Sequence, residues 1–451
     1  MSSELYDAIN LGDLINYKKG IAFKSKDYSD NGIPLIRVSN FHEDTLSPND
    51  LKFLPRKIAE ENKSVELKFS DIVVATVGSW PNNPSSVVGR VISVPKWSAG
   101  ALMNQNSVIL RAKDSDFYNQ RYLFYCLKTK DFSNHIISKA QGSANQASIT
   151  LDAIFSFPIF WSDYSHRQSV ASFLTNIDDR ITLLRETNTT LETIAQALFK
   201  SWFVDFDPVH AKQQGRAPEG MDAQTAALFP DYFEESELGM VPKGWRASNL
   251  GEIASFQNGY AFKSKDWKDS GHPVVKIGDV KPGIIDLSGC SFVSPSTLKG
   301  LDRFALFRGD LLVGMTGYVG ETGLVPSHNP QAFLNQRVGR IAAKNKQACF
   351  EYIYCAIRNS GFKEFAVSQS HGSAQANVSG ASILEYPIVL ACEKIIDAFS
   401  GIVKVLIEKI LTNHEQALAL ASCRDTLLPR LISGQLRLPE AQALVEDVVD
   451  A

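Results

Sequence analysis

The chain has 451 residues, 44% of them hydrophobic, and its 46 Lys and Arg nearly balance 49 Asp and Glu for a net charge of −3. This is enough material for two or three domains with real cores. The start, MSSELYDAINLGDL, has neither the basic end nor the apolar core of an export signal, and no run approaches the ~20 apolar residues needed to span a bilayer. Six cysteines without a CxxC pair fit reduced thiols in a cytoplasmic protein, not a disulfide frame or a zinc site.

In chain order, residues 1–165 read as a first domain. Short β-type runs, Pro34 to Val38 and Ile72 to Val77, alternate with Gly/Asn/Pro punctuation and one helical stretch, Tyr118 to Ala140, which predicts an α/β or α+β fold. Residues 166–206 carry a sustained heptad pattern. Val170, Ile177, Leu184, Leu191 and Leu198 form one seam position, and Leu174, Ile181, Asn188, Ala195 and Trp202 the other, so that Asn188 is the break. A helix from Val170 to Trp202 is roughly 50 Å long, suited to a spacer or a docking surface. The Asp205-Phe206-Asp207-Pro208 run is expected to end it, because the residue before a proline is biased out of the helical region.

Residues 207–244 form an acidic, Pro- and Gly-rich linker in which Phe229, Tyr232 and Phe233 are candidate pins to a neighbour. Residues 245–391 read as a second domain, and 392–439 as a second long helix. Its seam sets Phe399, Leu406, Asn413, Leu420 and Leu427 against Ile396, Val403, Ile410, Ala417 and Leu431, with Asn413 as the break and Arg424 as a second polar intrusion. Antiparallel pairing of the two helices about their centres would bring Asn188 and Asn413 together for a mutual hydrogen bond that fixes register at a cost in stability. The other reading has each asparagine facing solvent. Residues 440–451 form a short acidic tail, expected to fray.

The two halves are an internal repeat. LGDLINYKKGIAFKSKDYSDNGIPLIRVSNF, Leu11 to Phe41, aligns without a gap on Leu250 to Val280, and Asp71-Ile72-Val73-Val74 aligns on Asp310-Leu311-Leu312-Val313. Asn104-Gln105 matches Asn335-Gln336, and Gly142-Ser143-Ala144 matches Gly372-Ser373-Ala374. Residues shared by both copies, such as Gly20/Gly259, serve common architecture, whereas differing ones are free to carry different specificities. The stretch that differs most in length, Ser79 to Ala101 against Tyr318 to Gln331, is the first place to seek a copy-specific loop.

No GxxxxGK[ST], HExxH or GxSxG motif is present. Splitting the charge along the chain places the acidity in the linker and tail and leaves both domains mildly basic, which permits phosphate contact without demanding it. Candidate DNA contacts are Lys18, Lys19, Lys24, Lys26, Asn145 and Gln146 in the first copy, and Asn258, Lys263, Lys265 and Gln375 in the second. Basic and amide side chains suit phosphate positioning and bidentate base reading. A stand-alone DNA endonuclease built on dispersed carboxylates is the alternative, with Asp71/Asp310 the repeated acid in a β-type context.

The motif LG-x(7)-G-x-AFKSKD in both copies, ALFKSWFVDFDPVHAK (Ala197 to Lys212), FPDYFEESELGMVPKGW (Phe229 to Trp245) and DTLLPRLISGQLRLP (Asp425 to Pro439) carry a resemblance. Over essentially its whole length the chain resembles the specificity subunit of type I restriction-modification systems. The resemblance implies two target-recognition domains that each read one half of a split site in double-stranded DNA. It also implies two conserved helices that set the half-site spacing and dock two methyltransferase subunits, with restriction subunits joining through the complex. Docking falls on the helical seam together with Trp202, Phe203, Phe206 and Leu431. No catalytic residue, metal or cofactor is expected on this chain, since S-adenosylmethionine, ATP and Mg belong to the partner subunits, and no membrane is involved.

Overall fold

The computed structural model describes residues 8–42, 44–81, 87–143, 146–344, 349–371 and 376–450. They fall into two units, one made of Met1–Arg180 with Ala419–Ala451 and the other of Ile181–Leu418, so that each long helix contributes to both.

The first unit is built on a four-stranded antiparallel sheet in the order Ile15–Lys19, Ser107–Ala112, Ile72–Ala75, Val91–Ser93. A second sheet pairs Leu102–Met103, Ile33–Ile36 and Lys52–Leu54. The Ile72–Ala75 strand is buried along its whole length because its alternate residues enter two different cores. Ile72 and Val74 pack with the helices, and Val73 and Ala75 pack with the second sheet. A strand covered on both faces reads as a continuous apolar run. The second unit repeats the device on a five-stranded sheet, in which Leu311 and Val313 of the Leu311–Gly314 strand face one core and Leu312 the other. Mixed sheets and helices in both units match the expected α+β class.

The helical stretch expected over Tyr118 to Ala140 is two helices, Phe117–Leu127 and Lys130–Lys139. Thr129 divides them: its hydroxyl donates to the Cys126 carbonyl at 2.8 Å and accepts the Phe132 N–H at 3.4 Å, capping the second helix.

Both long helices have 40 residues, Tyr164–Phe203 and Glu393–Ile432. In the second unit Asn188 meets Asn413, while Trp202 and Phe203 meet Phe399 with ring centroids 5.7 and 5.0 Å apart. Advancing along one helix is therefore retreating along the other, and the pairing is antiparallel. Asn413, 1% exposed, donates from Nδ2 to Asn188 Oδ1 at 2.9 Å, and Asn188 donates to the Ile410 carbonyl at 2.9 Å. Of the two readings of these asparagines, the mutual bond is the one present. The seam departs from a strict heptad in the second half of the first helix and at one position of the second. Leu191, Leu198 and Leu406 are half-buried, and Phe199 and Ile407 take the buried positions. A helix of 3.6 residues per turn drifts about 20° per heptad against a 3.5 repeat, which after four heptads moves the buried face by nearly one residue.

Three boundaries differ from the sequence expectation. The first long helix stops at Phe203; Phe206 is left-handed at φ 55°, and Asp207-Pro208 opens the next helix, Asp207–Gln213. Proline's fixed φ and missing N–H suit a first helical turn as well as they forbid an interior one. The tail expected to fray is a helix, Leu438–Asp450, seated on the first unit by the fully buried Ala441 and by Val445.

The intruding Arg424 belongs to a buried ionic group in the first unit. Its guanidinium donates to Asp178 Oδ1 at 2.6 Å and lies 3.1 Å from Asp44 Oδ2, while Asp178 Oδ2 accepts from Arg121 at 2.9 Å and the Tyr125 hydroxyl at 2.6 Å. Burial works to lower the Arg424 pKa, but the carboxylates of Asp178, Asp44 and Asp425 outweigh it and hold the group further toward the charged form.

Two outcomes are expected in urea unfolding. Asn413→Leu, which leaves the Asn188 Oδ1 without its donor, loses about 1–3 kcal/mol, and adding Asn188→Leu restores most of the loss, since an apolar pair leaves nothing unsatisfied. Arg424→Met, which takes one of two cations from Asp178 and from Asp44 and leaves Arg121 and Lys128 in place, loses about 1–3 kcal/mol.

Candidate nucleic-acid interface

Chemistry cannot sit on strands buried on both faces, and in both units polar side chains gather where the strands end. In the first unit Lys19 closes its strand opposite Val108, and the next N–H, from Gly20, donates to the Ser107 carbonyl at 3.0 Å. Thr76 donates to the Asn106 carbonyl at 2.9 Å, and Ile149 to the Thr76 carbonyl at 3.0 Å. Thr150 then caps the helix Leu151–Phe155 by accepting the Ala153 N–H at 3.2 Å. Between these segments lies a cleft of about 430 Å³ lined by Lys19, Thr76, Val77, Gln105, Asn106, Ser148, Ile149, Thr150 and Leu151.

The second unit has the same frame. Asn258 pairs with Gly339, and Gly259 donates to the Val338 carbonyl at 3.2 Å. Met315 donates to the Arg337 carbonyl at 3.1 Å, Val378 to the Met315 carbonyl at 2.9 Å, and Ser379 caps Gly380–Leu384 by accepting the Ser382 N–H at 3.0 Å. Through these bonds Lys19, Asn106, Ser148 and Thr150 correspond to Asn258, Arg337, Asn377 and Ser379.

The repeated glycine and the repeated Asn-Gln explain each other. A Cβ on Gly20 would lie 1.8 Å from the Asn104 carbonyl oxygen, and one on Gly259 would lie 2.1 Å from that of Asn335. Only glycine lets the strand end and the turn meet. The Asn104 Oδ1 also accepts the Gln105 N–H at 2.6 Å, and Gln105 and Gln336 are exposed on turns held by backbone contact.

All described DNA-contact candidates are exposed, but they do not form one group. Lys19 lines the cleft, and Gln146 lies in the Gln141–Ser143/Gln146–Ser148 hairpin whose last residue also lines it. Strand alternation puts Lys18 on the opposite face from Lys19. Its counterpart Gln257 is engaged there, accepting from Arg340 and donating to the Arg303 carbonyl, both at 2.6 Å. Lys24, Lys26, Lys263 and Lys265 sit on capped turns in which Asp27 accepts the Lys24 N–H at 3.1 Å and Asp266 the Lys263 N–H at 2.7 Å. Turn geometry thus explains the repeated aspartate and leaves the lysine side chains outward. Asn145, Gln375 and Gly372-Ser373-Ala374 lie outside the described residues. Asn106 and Arg337, exposed at the same point of the frame, differ immediately after the matched Asn-Gln pairs.

The seam residues named for docking are placed differently from that expectation. Val170, Ile177, Leu184, Trp202, Phe203, Phe399, Leu420, Leu427 and Leu431 are buried, because they fill cores of their own chain. Phe203 packs on Tyr352 at 4.9 Å and Phe206, half-buried, on Trp245 at 5.7 Å. The apolar side chains left outward on the helices include Leu183, Ile194, Val405 and Leu418.

The repeated acid is a strand fastener. Asp71 accepts from Arg111 Nε at 2.7 Å and Nη2 at 2.6 Å, and Asp310 accepts from Arg340 at 2.8 Å. Among the described residues no three His, Cys, Asp or Glu side chains gather as a metal-binding set, and no helix is long and apolar enough to cross a membrane.

Comparison with known proteins matches a family model, the type I restriction modification DNA specificity domain, twice in this chain, at residues 4–193 and 242–421. The type I restriction enzyme HindI specificity subunit of Haemophilus influenzae is 27% identical over 361 residues, 70% of this chain and 77% of that protein. The EcoKI specificity subunit of Escherichia coli is 24% identical over 387 residues, 83% of this chain and 75% of that protein. In fold, the chain is similar to the crystal structure of a type I restriction-modification S subunit from M. genitalium, with a TM-score of 0.52 at 16% identity, covering 96% of this chain and 97% of that one.

Gly20→Ala is expected to lose about 1–3 kcal/mol in chemical denaturation, since the added methyl meets backbone rather than a movable side chain. Gly278→Ala, where nothing lies within 4 Å of the new Cβ, is the comparison and should stay within about 0.5 kcal/mol of the parent.

Proposed function

This chain belongs to the type I restriction modification DNA specificity family, whose domain it carries twice, and from that premise we propose how it works as the specificity subunit of such a system. Each unit reads one half of a bipartite site in double-stranded DNA. The observation that carries this reading is the pair of strand-end frames, equivalent bond for bond yet furnished with different polar side chains. One backbone geometry twice over, with two side-chain sets, is what two unlike half-sites require.

The net charge of −3 makes affinity a local matter. Exposed Lys18, Lys24 and Lys26 in one unit and Lys263 and Lys265 in the other supply phosphate contacts, while amides and cations at the strand ends supply discrimination. The two 40-residue helices are the spacer. Each holds about 60 Å of continuous helix, against roughly 34 Å for one turn of DNA. Their outward apolar side chains, Leu183, Ile194, Val405 and Leu418, are the surface on which two methyltransferase subunits dock, in place of the seam itself. Adenine methylation and cleavage belong to the partner subunits, which bring S-adenosylmethionine, ATP and Mg, and the assembly works in the cytoplasm.

Genome-wide mapping of methylated adenines tests the reading. With this chain and its neighbouring methyltransferase present, a split motif with a fixed gap is expected; without the chain it should vanish. Exchanging residues 1–165 for the same domain of another specificity subunit should change one half of the motif. Methylation that persists unaltered when the chain is removed would sink the assignment.

A further inference from the structure

We propose that the strand-end frame is the copy-specific base reader of each unit, with Lys19 and Asn106 discriminating in the first and Asn258 and Arg337 in the second. The proposal rests on the DNA-specificity reading above and deepens it to named positions. A residue that is the same in both copies cannot tell two half-sites apart; one that differs at the same point of the same frame can.

At this point the copies differ in an ordered way. The first places a cation at the strand end and an amide on the turn, Lys19 with Asn106. The second places the amide at the strand end and the cation on the turn, Asn258 with Arg337. Both keep one of each, and exchange their places. A cation offers donors only and suits the paired acceptors of guanine, whereas an amide offers a donor and an acceptor and suits adenine. Reversing their order reverses the order in which such a pair of bases is met. Gln105 and Gln336, alike in both copies, position the duplex without distinguishing its halves.

The backing is rigid where reading needs it. Lys19 and Asn258 end ladder-paired strands, and Asn106 and Arg337 follow turns pressed against glycine. In the second unit Thr316 donates to Asn377 Oδ1 at 2.6 Å and fixes that neighbouring amide's orientation. All four reading side chains are exposed, so exchanging them leaves the cores untouched.

The experiment uses the full chain assembled with its methyltransferase subunits and two variants, Asn106→Arg and Arg337→Asn. Methylated-adenine mapping and binding to duplexes bearing single base changes are read together. Each variant should change or relax base identity in one half-site only, a different half for each, with discrimination at the affected position shifted about 5- to 150-fold. Three results overturn the proposal: a motif unchanged in both variants, a change in both halves from one variant, or equal weakening on every duplex with a shallower salt dependence, which marks a phosphate contact. If a variant melts below the parent complex, Asn106→Ala and Arg337→Ala, which remove the reading group and add nothing, are read in its place by the same criteria. The unaltered complex must itself give a bipartite motif; if it does not, the functional reading fails, and the failure is separable from that of the frame assignment.

Discussion

The constraint on which the rest depends is that the central strand of each unit is covered on both faces. Ile72–Ala75 and Leu311–Gly314 divide their side chains between two cores and can hold nothing polar along their length. Chemistry is thereby expelled to the strand ends, where backbone groups that have left the ladder bond to turns instead. The cleft lined by Lys19 and Asn106 and the equivalent strand-end frame at Asn258 and Arg337 are consequences of that expulsion. At the ends, side chains can vary between copies without disturbing a core.

Both units hold their portions of the long helices by apolar packing joined to a carboxylate that an arginine and a tyrosine hydroxyl share, with different residues in each. In the first, Arg424 and Arg121 surround Asp178 with the Tyr125 hydroxyl. In the second, Arg358, at 2.8 Å, and the Tyr354 hydroxyl share Glu192, beside an aromatic cluster in which Phe199 and Phe203 pack on Tyr352. On the exposed side of the second unit, Arg308 adds bonds to Glu408 at 2.6 Å and Glu415 at 2.8 Å. The repeat thus preserved the frame of the domain while the residues of its attachment diverged.

Much of what looks functional in the repeated motifs is architecture. The AFKSKD repeat is a capped turn, the aspartate before each central strand is tied to an arginine on the neighbouring strand, and the Asn-Gln pair is a turn that needs glycine across from it. Repetition within one chain marks what both copies must build. Difference at a matched position marks what each copy can say, and Asn106 against Arg337 shows how small such a difference is in the linear chain.

Apolar periodicity alone determined the two long helices and their breaks at Asn188 and Asn413, because a seam must recur every turn to be buried; that the helices pair antiparallel and the asparagines bond to one another was decided by the tertiary structure. The internal alignment likewise determined that there are two copies of one α+β domain. The sequence could not show that Thr129 would divide one apparent helix, that Pro208 would open a helix rather than merely follow one, or that the acidic tail would be seated by Ala441. Each of these rests on a contact or cap whose cost depends on what the fold brings alongside. Nor could it separate Lys18 from Lys19, or join Lys19 to Asn106 and Ser148. Strand alternation turns neighbours in sequence to opposite faces, and sheet pairing makes neighbours of residues far apart, so only the tertiary structure decided which polar side chains share a site.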